Sequence, residues 1–65
     1  MKIGDYVRVQ ATNELVEVFH LSQKAGQPYH VPFVVTAYLL DEKGRRKLRD
    51  DGQFEVSAFY SHNLI

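Results

Sequence analysis

The sequence predicts an all-β fold: a small, five-stranded, strongly bent antiparallel barrel formed by a single domain over residues 1–65. Apolar and polar side chains alternate with a period of two in several short segments, as in half-buried strands. Gly and Asp residues mark tight turns between these segments. No convincing helix is present, and a sheet of this size buries one face only by curling on itself, which also removes exposed edges.

The first two predicted strands lie in the N-terminal third of the chain. Residues 6–10 alternate cleanly, and we expect Val7 and Val9 on the inner face. A connection follows in which Asn13 tolerates a left-handed backbone. Residues 15–21 are rich in β-branched and aromatic side chains, which favours a strand over the rival helix. Which face of this second strand is buried stays open at this point.

A polar loop and the longest predicted strand occupy the middle of the chain. Residues 22–28 carry no periodicity and end with Gly and Pro, so we predict a loop. Loops of this kind on a small rigid scaffold often bind partners. Residues 29–40 are apolar on both faces, which indicates a strand that is covered on both sides or bent enough to serve two sheets. Pro32 cannot donate to a ladder and is expected at the strand start or at an edge.

The C-terminal part is predicted as turn, strand, turn, strand, one 3₁₀ turn and a short terminal strand segment, over residues 41–44, 45–49, 50–52, 54–58, 61–63 and 64–65. Gly44 and Gly52 are placed to supply the positive φ that such turns need. Phe54 shares a face with Val56 and Ala58, and we expect this face to be in the core.

This order of elements resembles that of the SH3-like barrels. The first strand opens as Gly-Asp-x-Val-x-Val over residues 4–9, a loop-rich middle follows, and the chain ends with a strand, a short turn and Leu64-Ile65. The opening is similar to that of KOW-type modules, the PsaE subunit of photosystem I, the variable chain of ferredoxin–thioredoxin reductase and the plasmid-borne type II dihydrofolate reductases. The resemblance implies the barrel fold and no particular function, because these proteins share little else.

Composition excludes several classes of protein. Hydrophobic content of 45% with 25% charged residues is typical of a globular chain and not of a disordered one. The longest apolar run, residues 31–40, is interrupted and too short to span a membrane. The first residues lack the apolar region of a signal peptide, so we expect a cytoplasmic protein. Eight basic and eight acidic side chains cancel, which removes the overall positive field of a typical nucleic-acid-binding protein.

Catalytic and metal-binding groups are not indicated by the sequence. The three histidines, His20, His30 and His62, have no recognised ligand spacing, so no metal and no cofactor are predicted. The serines lie in no nucleophile motif and Cys is absent, so the sequence gives no indication of nucleophilic catalysis. A chain this small also lacks room to enclose a substrate. We therefore expect a protein that is not an enzyme and has no small-molecule substrate.

A cluster of four cations is the most conspicuous local feature of the sequence: Arg45, Arg46, Lys47 and Arg49. Such side chains bind the phosphates of nucleic acids, and nearby aromatic rings could stack on unpaired bases. Four acidic residues bracket the run, however, and charge pairing across a solvated hairpin explains the pattern without a ligand. Nucleic-acid binding through this hairpin is therefore the alternative function.

The favoured function is that of a small non-catalytic binding module or accessory subunit that acts through protein–protein interaction. Tyrosine offers a large contact area at low entropic cost, so aromatic patches on small barrels are suited to binding. The predicted partner-binding residues are Tyr6, Tyr38, Phe59 and Tyr60. Because a chain of this size has little stability to spare, the partner is expected to be another protein or a further copy in a homo-oligomer.

Overall fold

The computed structural model describes residues 1–24, 26–28 and 31–65. Its elements are strands β1 (Tyr6–Arg8), β2 (Leu15–Leu21), β3 (Val34–Leu39) and β4 (Val56–Tyr60), and a 3₁₀ helix (Ser61–Asn63). The strands form one open antiparallel sheet in the order β1-β2-β3-β4. The predicted all-β class is confirmed. Over the described residues, no helix has the length and apolar character needed to cross a bilayer.

The regular strands are shorter than the sequence suggests. β3 begins at Val34, and the first two residues of the predicted strand, Tyr29 and His30, lie outside the described residues. Residues 45–49 form isolated bridges in place of a regular strand. Within them, Lys47 bonds to the end of β3 and to the residue just before β4. Its N–H donates to the Leu39 carbonyl and its carbonyl accepts from the Glu55 N–H, both at 2.9 Å.

A β-bulge in β2 decides which side of that strand is buried. The register with β3 shifts between Val18 and His20, which makes Phe19 the extra residue. Before the bulge, Val16 and Val18 face the core and are each 1% exposed. After the bulge the inward positions shift by one, so Leu21 packs against the core while His20 is exposed. The buried side of β2 therefore changes from even to odd numbers along the strand.

The core lies on one side of the sheet. It consists of Val7, Val16, Val18, Phe33, Val35, Ala37 and Leu64, with Met1, Val9, Leu21, Leu39 and Phe59 packed against it. The expected inward positions of β1 are confirmed. Leu64 reaches the core because the C-terminus returns to β1: it bridges Val9, and Ile65 exchanges backbone hydrogen bonds with Arg8 at 2.9 and 3.3 Å.

The expectation that Phe54, Val56 and Ala58 are buried is wrong. Phe54 is 43% exposed, Val56 is 46% exposed, and Ala58 is also exposed. In the β3–β4 register, Phe59 lies opposite Val35, which is fully buried. Residues opposite one another in a sheet share a face, so the odd-numbered residues of β4 point to the core and the even-numbered ones point away.

The turns on either side of residues 45–49 form as expected. Gly44 has φ 78° and Gly52 has φ 82°, values that L side chains rarely adopt. The first turn is further held by Asp41, whose carboxylate accepts hydrogen bonds from the N–H groups of Lys43 and Arg45, both at 2.9 Å. Together these features fold residues 41–55 into a compact extension of the sheet, called the basic hairpin below.

Candidate functional site

The side of the sheet opposite the core carries mostly apolar and aromatic side chains. We call this side the outer face. Its apolar members are Tyr6, Phe19, Val34, Tyr38, Phe54, Val56, Ala58 and Tyr60. Tyr6 and Tyr60 are each 58% exposed, and Val34 is 38% exposed. Single exposed hydrophobic residues are normal, but a contiguous set of them marks an interaction surface.

Three aromatic rings form the centre of the outer face. Phe19 stacks on Tyr38 with the ring centroids 4.4 Å apart, and Phe54 meets Tyr38 edge-on at 5.5 Å. The bulge in β2 is what brings Phe19 to this side, because the extra residue does not follow the inward alternation of its neighbours. Such offset and edge-on pairs are favoured arrangements of aromatic rings. The centre of the face is therefore fixed before any partner binds.

Glu17 and Arg46 on the outer face bind each other, whereas Arg8, at the end of β1 on the same side, donates to the Asn13 carbonyl at 2.9 Å. Arg46 of the basic hairpin donates from Nε and Nη2 to the two carboxylate oxygens of Glu17 on β2, each at 2.9 Å. The guanidinium also lies 4.1 Å from the centre of the Tyr38 ring and 5.3 Å from that of Phe54. A bidentate pair of this kind is strong and directional. Arg46 thus fastens the basic hairpin to the sheet.

This pairing keeps both groups ionised. The hydrogen bond from Arg46 lowers the pKa of Glu17, and the same bond raises the pKa of Arg46. In the hairpin turn, the backbone N–H of Arg45 is the main cause of a lowered pKa at Asp41. A carboxyl group that acts as a general acid or base near neutral pH needs a raised pKa instead. These carboxylates are therefore suited to holding structure and not to proton transfer.

Three of the four predicted partner-binding residues lie together. Tyr6, Tyr38 and Tyr60 are on the outer face, where Tyr60 also stacks parallel on His62 at 5.7 Å. Phe59 lies on the opposite side of the sheet, half-buried against the core. It is separated from the tyrosines by the period-two alternation of β4, so it does not belong to the same surface.

The cations of the basic hairpin are largely matched by carboxylates. Arg45 lies 3.6 Å from Asp41, and Arg49 lies 3.7 Å from Asp51, while Arg46 binds Glu17. The Arg45 and Arg49 side chains remain 71% and 58% exposed, and such exposed pairs are weak. Lys47 is half-buried, and its backbone is bonded on both sides. The predicted alternative site is thus mostly engaged within the fold.

The histidines do not assemble into a metal site in the described part of the chain. His20 is exposed on β2 and His62 lies against Tyr60, while His30 falls outside the residues described. Across residues 1–24, 26–28 and 31–65, no three His, Asp or Glu side chains are grouped to hold a metal ion.

Sequence reasoning missed Glu17, Phe19 and Val34 as members of the outer face. Glu17 left a signal, because a charged residue within an apolar strand requires a partner when it is packed. Its binding to Arg46, which is 29 residues away, could not be read from local patterns. The bulge that redirects Phe19 has no recognisable signature in the sequence.

Comparison with known proteins yields no match: no protein-family model fits the chain, and no curated protein or solved structure is significantly similar to it. The function must therefore be argued from the geometry of the outer face and its surroundings.

Proposed function

We propose that this chain is a small non-catalytic binding module or accessory subunit that acts through protein–protein interaction. The outer face is the proposed contact surface. The observation that carries this proposal is the contiguous apolar patch on that face, in which Glu17 and Arg46 neutralise each other. An aromatic surface whose central charges are paired with each other has the composition of the central part of a protein interface.

The aromatic centre supports the same proposal on energetic grounds. Tyr38 is held between Phe19, Phe54 and the Arg46 guanidinium, so its side chain loses little freedom when a partner covers it. Binding energy that is not spent on ordering side chains contributes to affinity. The more exposed Tyr6 and Tyr60 at the margins supply contact area, and tyrosines are among the residues that dominate interface energetics.

We further propose that the sheet is the main part of an SH3-like barrel, with residues 64–65 as its fifth strand. The bridge between Val9 and Leu64 and the backbone hydrogen bonds between Arg8 and Ile65 support this arrangement, because they return the C-terminus to the edge of β1. In such a barrel one side of the sheet is used for folding. The outer face is then left as the surface available for binding.

Nucleic-acid binding remains the second candidate because of Arg45 and Arg49. Their ion pairs, at 3.6 and 3.7 Å, are long and exposed, so a phosphate could replace either carboxylate. Arg46 does not share this property, since it is engaged by Glu17 and two rings. The hairpin therefore offers two exchangeable arginines in place of a dense cationic patch.

The two candidates are separated by capture from lysate of the source cells with matched variants. Tyr6→Ser and Val34→Ser remove apolar area from the outer face. We expect each variant to capture much less of a specific protein partner than the wild-type chain does. Arg45→Ser is the control and should retain that partner. Loss in Arg45→Ser with retention in Tyr6→Ser, together with a steep salt dependence, would support nucleic-acid binding and contradict the proposed protein-binding face.

A further inference from the structure

The β4 strand forms an edge of the sheet that is not covered within the described residues. Its ladder partner is β3, and no other strand or bridge there pairs with residues 56–60. The opposite edge of the sheet differs, because β1 is covered by the C-terminus through the hydrogen bonds between Arg8 and Ile65. In the described part of the chain, one edge of the sheet is therefore covered and the other is not.

The phase of the ladder shows which backbone groups of β4 point away from β3. The Glu55 carbonyl accepts a hydrogen bond from the N–H of Leu39 in β3 at 2.9 Å. The Ser61 N–H donates to the carbonyl of Phe33, the residue before β3, at 2.8 Å. In an antiparallel pair, hydrogen-bonded positions alternate with positions whose groups point outward. The N–H and C=O groups of Val56 and Ala58, and the N–H of Tyr60, therefore point away from β3.

This edge also lacks the features by which proteins prevent strands from pairing. Edge strands are usually protected by Lys, Pro, bulges or very short length. β4 reads Val-Ser-Ala-Phe-Tyr, with five residues in regular register and neither a charge nor a proline. By contrast, the adjacent hairpin is dense with charge. An unprotected edge with free hydrogen-bonding groups is a template for a further strand.

We propose that β4 pairs antiparallel with β4 of a second copy of this chain, about a twofold axis at Ala58. In this register Ala58 exchanges both backbone hydrogen bonds with its copy, and each Tyr60 N–H donates to the Val56 carbonyl of the other chain. The outward groups of Ala58, the Tyr60 N–H and the Val56 carbonyl are then paired, and the two four-stranded sheets become one continuous sheet.

A second copy fits this edge because the strand is complementary to itself. The smallest side chain of the strand, that of Ala58, lies at the axis, where two identical residues meet. On either side of the axis, Val56 lies opposite Tyr60 of the partner subunit, which forms the aromatic and β-branched pairing that stabilises sheets. The paired segments carry no charge and the chain has a net charge of zero, so no like charges oppose the contact.

The dimer goes beyond the proposed function and does not depend on it. Edge pairing uses backbone groups of β4, whereas the proposed partner binding uses side chains across the outer face. Interfaces that bury less than about 1,200 Å² of surface are usually transient. Two paired strands of five residues fall in this class. We therefore expect association that depends on protein concentration, with the two outer faces side by side on one surface.

Sedimentation equilibrium over a wide concentration range is the first test. We expect the mass of the wild-type chain to rise from 7.5 kDa towards twice that value. Ala58→Lys, at an exposed position, places two ammonium groups at the axis and should remain monomeric. Thr36→Lys is the matched control, because Thr36 is opposite Ala58 on β3 and a strand away from the edge. A monomeric wild type at millimolar concentration, or dimers of both variants, would overturn the proposal.

Amide hydrogen exchange of the wild-type chain gives a second test that requires no variant. The amides of Ala58 and Tyr60 should exchange fast in dilute solution and several times more slowly in concentrated solution, whereas those of Ser57 and Phe59 should be protected in both. A mixed-label sample should show a contact between the α-protons of Ser57 and of the partner subunit's Phe59. Association without this alternating protection would mean that another surface is used, and the proposed edge pairing would be wrong.

Discussion

The basic hairpin and β4 are neighbours in sequence, but they differ in how far their interacting groups are paired within the fold. In the hairpin, each arginine lies near a carboxylate, and the turn carboxylates accept backbone hydrogen bonds. In β4, the apolar side chains of Val56 and Tyr60 are exposed, and the strand edge is uncovered among the described residues. The arginines of the conspicuous charged segment thus have carboxylate partners within the fold, whereas the uncharged strand presents apolar side chains and outward backbone groups.

The difference arises because the two segments have different partners within contact distance. Arg45 and Arg49 are within a few residues of Asp41 and Asp51, and Arg46 folds over the sheet onto Glu17. Charges can be matched by such local or side-chain contacts. Among the described residues, the outward backbone groups of Val56 and Ala58 have no such partner, because only another strand can match them.

The largest expected effect comes from the core that supports β4. Val35→Ala removes buried methyl groups opposite Phe59, and we expect the free energy of unfolding in urea to fall by roughly 1.5–3 kcal/mol. Val34→Ala, one residue away on the outer face and 38% exposed, should cost less than about 1 kcal/mol. Equal losses for the two variants would contradict the assignment of inner and outer faces.

A second prediction separates the hairpin from the sheet. Arg46→Lys retains the charge but loses the bidentate contact with Glu17 and most of the stacking on Tyr38. We expect the amides of Lys47 and Arg49 to exchange several times faster, while those of β3 are unchanged. Arg45→Lys is the matched control and should leave all of these rates as they are. Uniform acceleration throughout the chain would show that the contact supports the whole fold instead.

The Arg46 contact should also depend on pH. Arg46 holds the pKa of Glu17 below its ordinary value of 4.5, so the contact stabilises the folded hairpin fully above pH 4.5. That contribution is lost as the pH falls through the lowered pKa. The ring resonances of Tyr38 should therefore be constant from neutral pH to about pH 4.5 and shift only below it. In Glu17→Gln this transition should be absent, and an unchanged transition in that variant would show that another group causes it.

The sequence could predict most of the elements but not which sides of them are used. The turn at Gly44 and the strand at residues 15–21 were recognisable because glycine placement and β-branched content act locally. The buried side of β4 was not, because Val-Ser-Ala-Phe-Tyr is nearly as apolar on one face as on the other. Pairing with the buried Val35 decides the matter, and that contact joins residues far apart in the chain.

The candidate site was also only partly predictable, because local patterns indicate exposed tyrosines but not which side chains share a surface. Tyr6, Tyr38 and Tyr60 could be proposed because exposed tyrosines are suited to binding. Phe59 was included by its neighbourhood in the sequence, although strand alternation turns it to the core. The role of Arg46 was hidden among three other cations, since only the folded chain brings its guanidinium onto Glu17.

By itself, the sequence determined that this protein is all-β, because alternation, turn glycines and β-branched content act over a few residues. It also determined that the charges balance and that no cysteine is present. The tertiary structure decided that the sheet is open at β4, that Arg46 belongs to the fold, and which tyrosines share one surface. These outcomes depend on strand pairing and on a bulge, which are long-range contacts that local patterns do not encode.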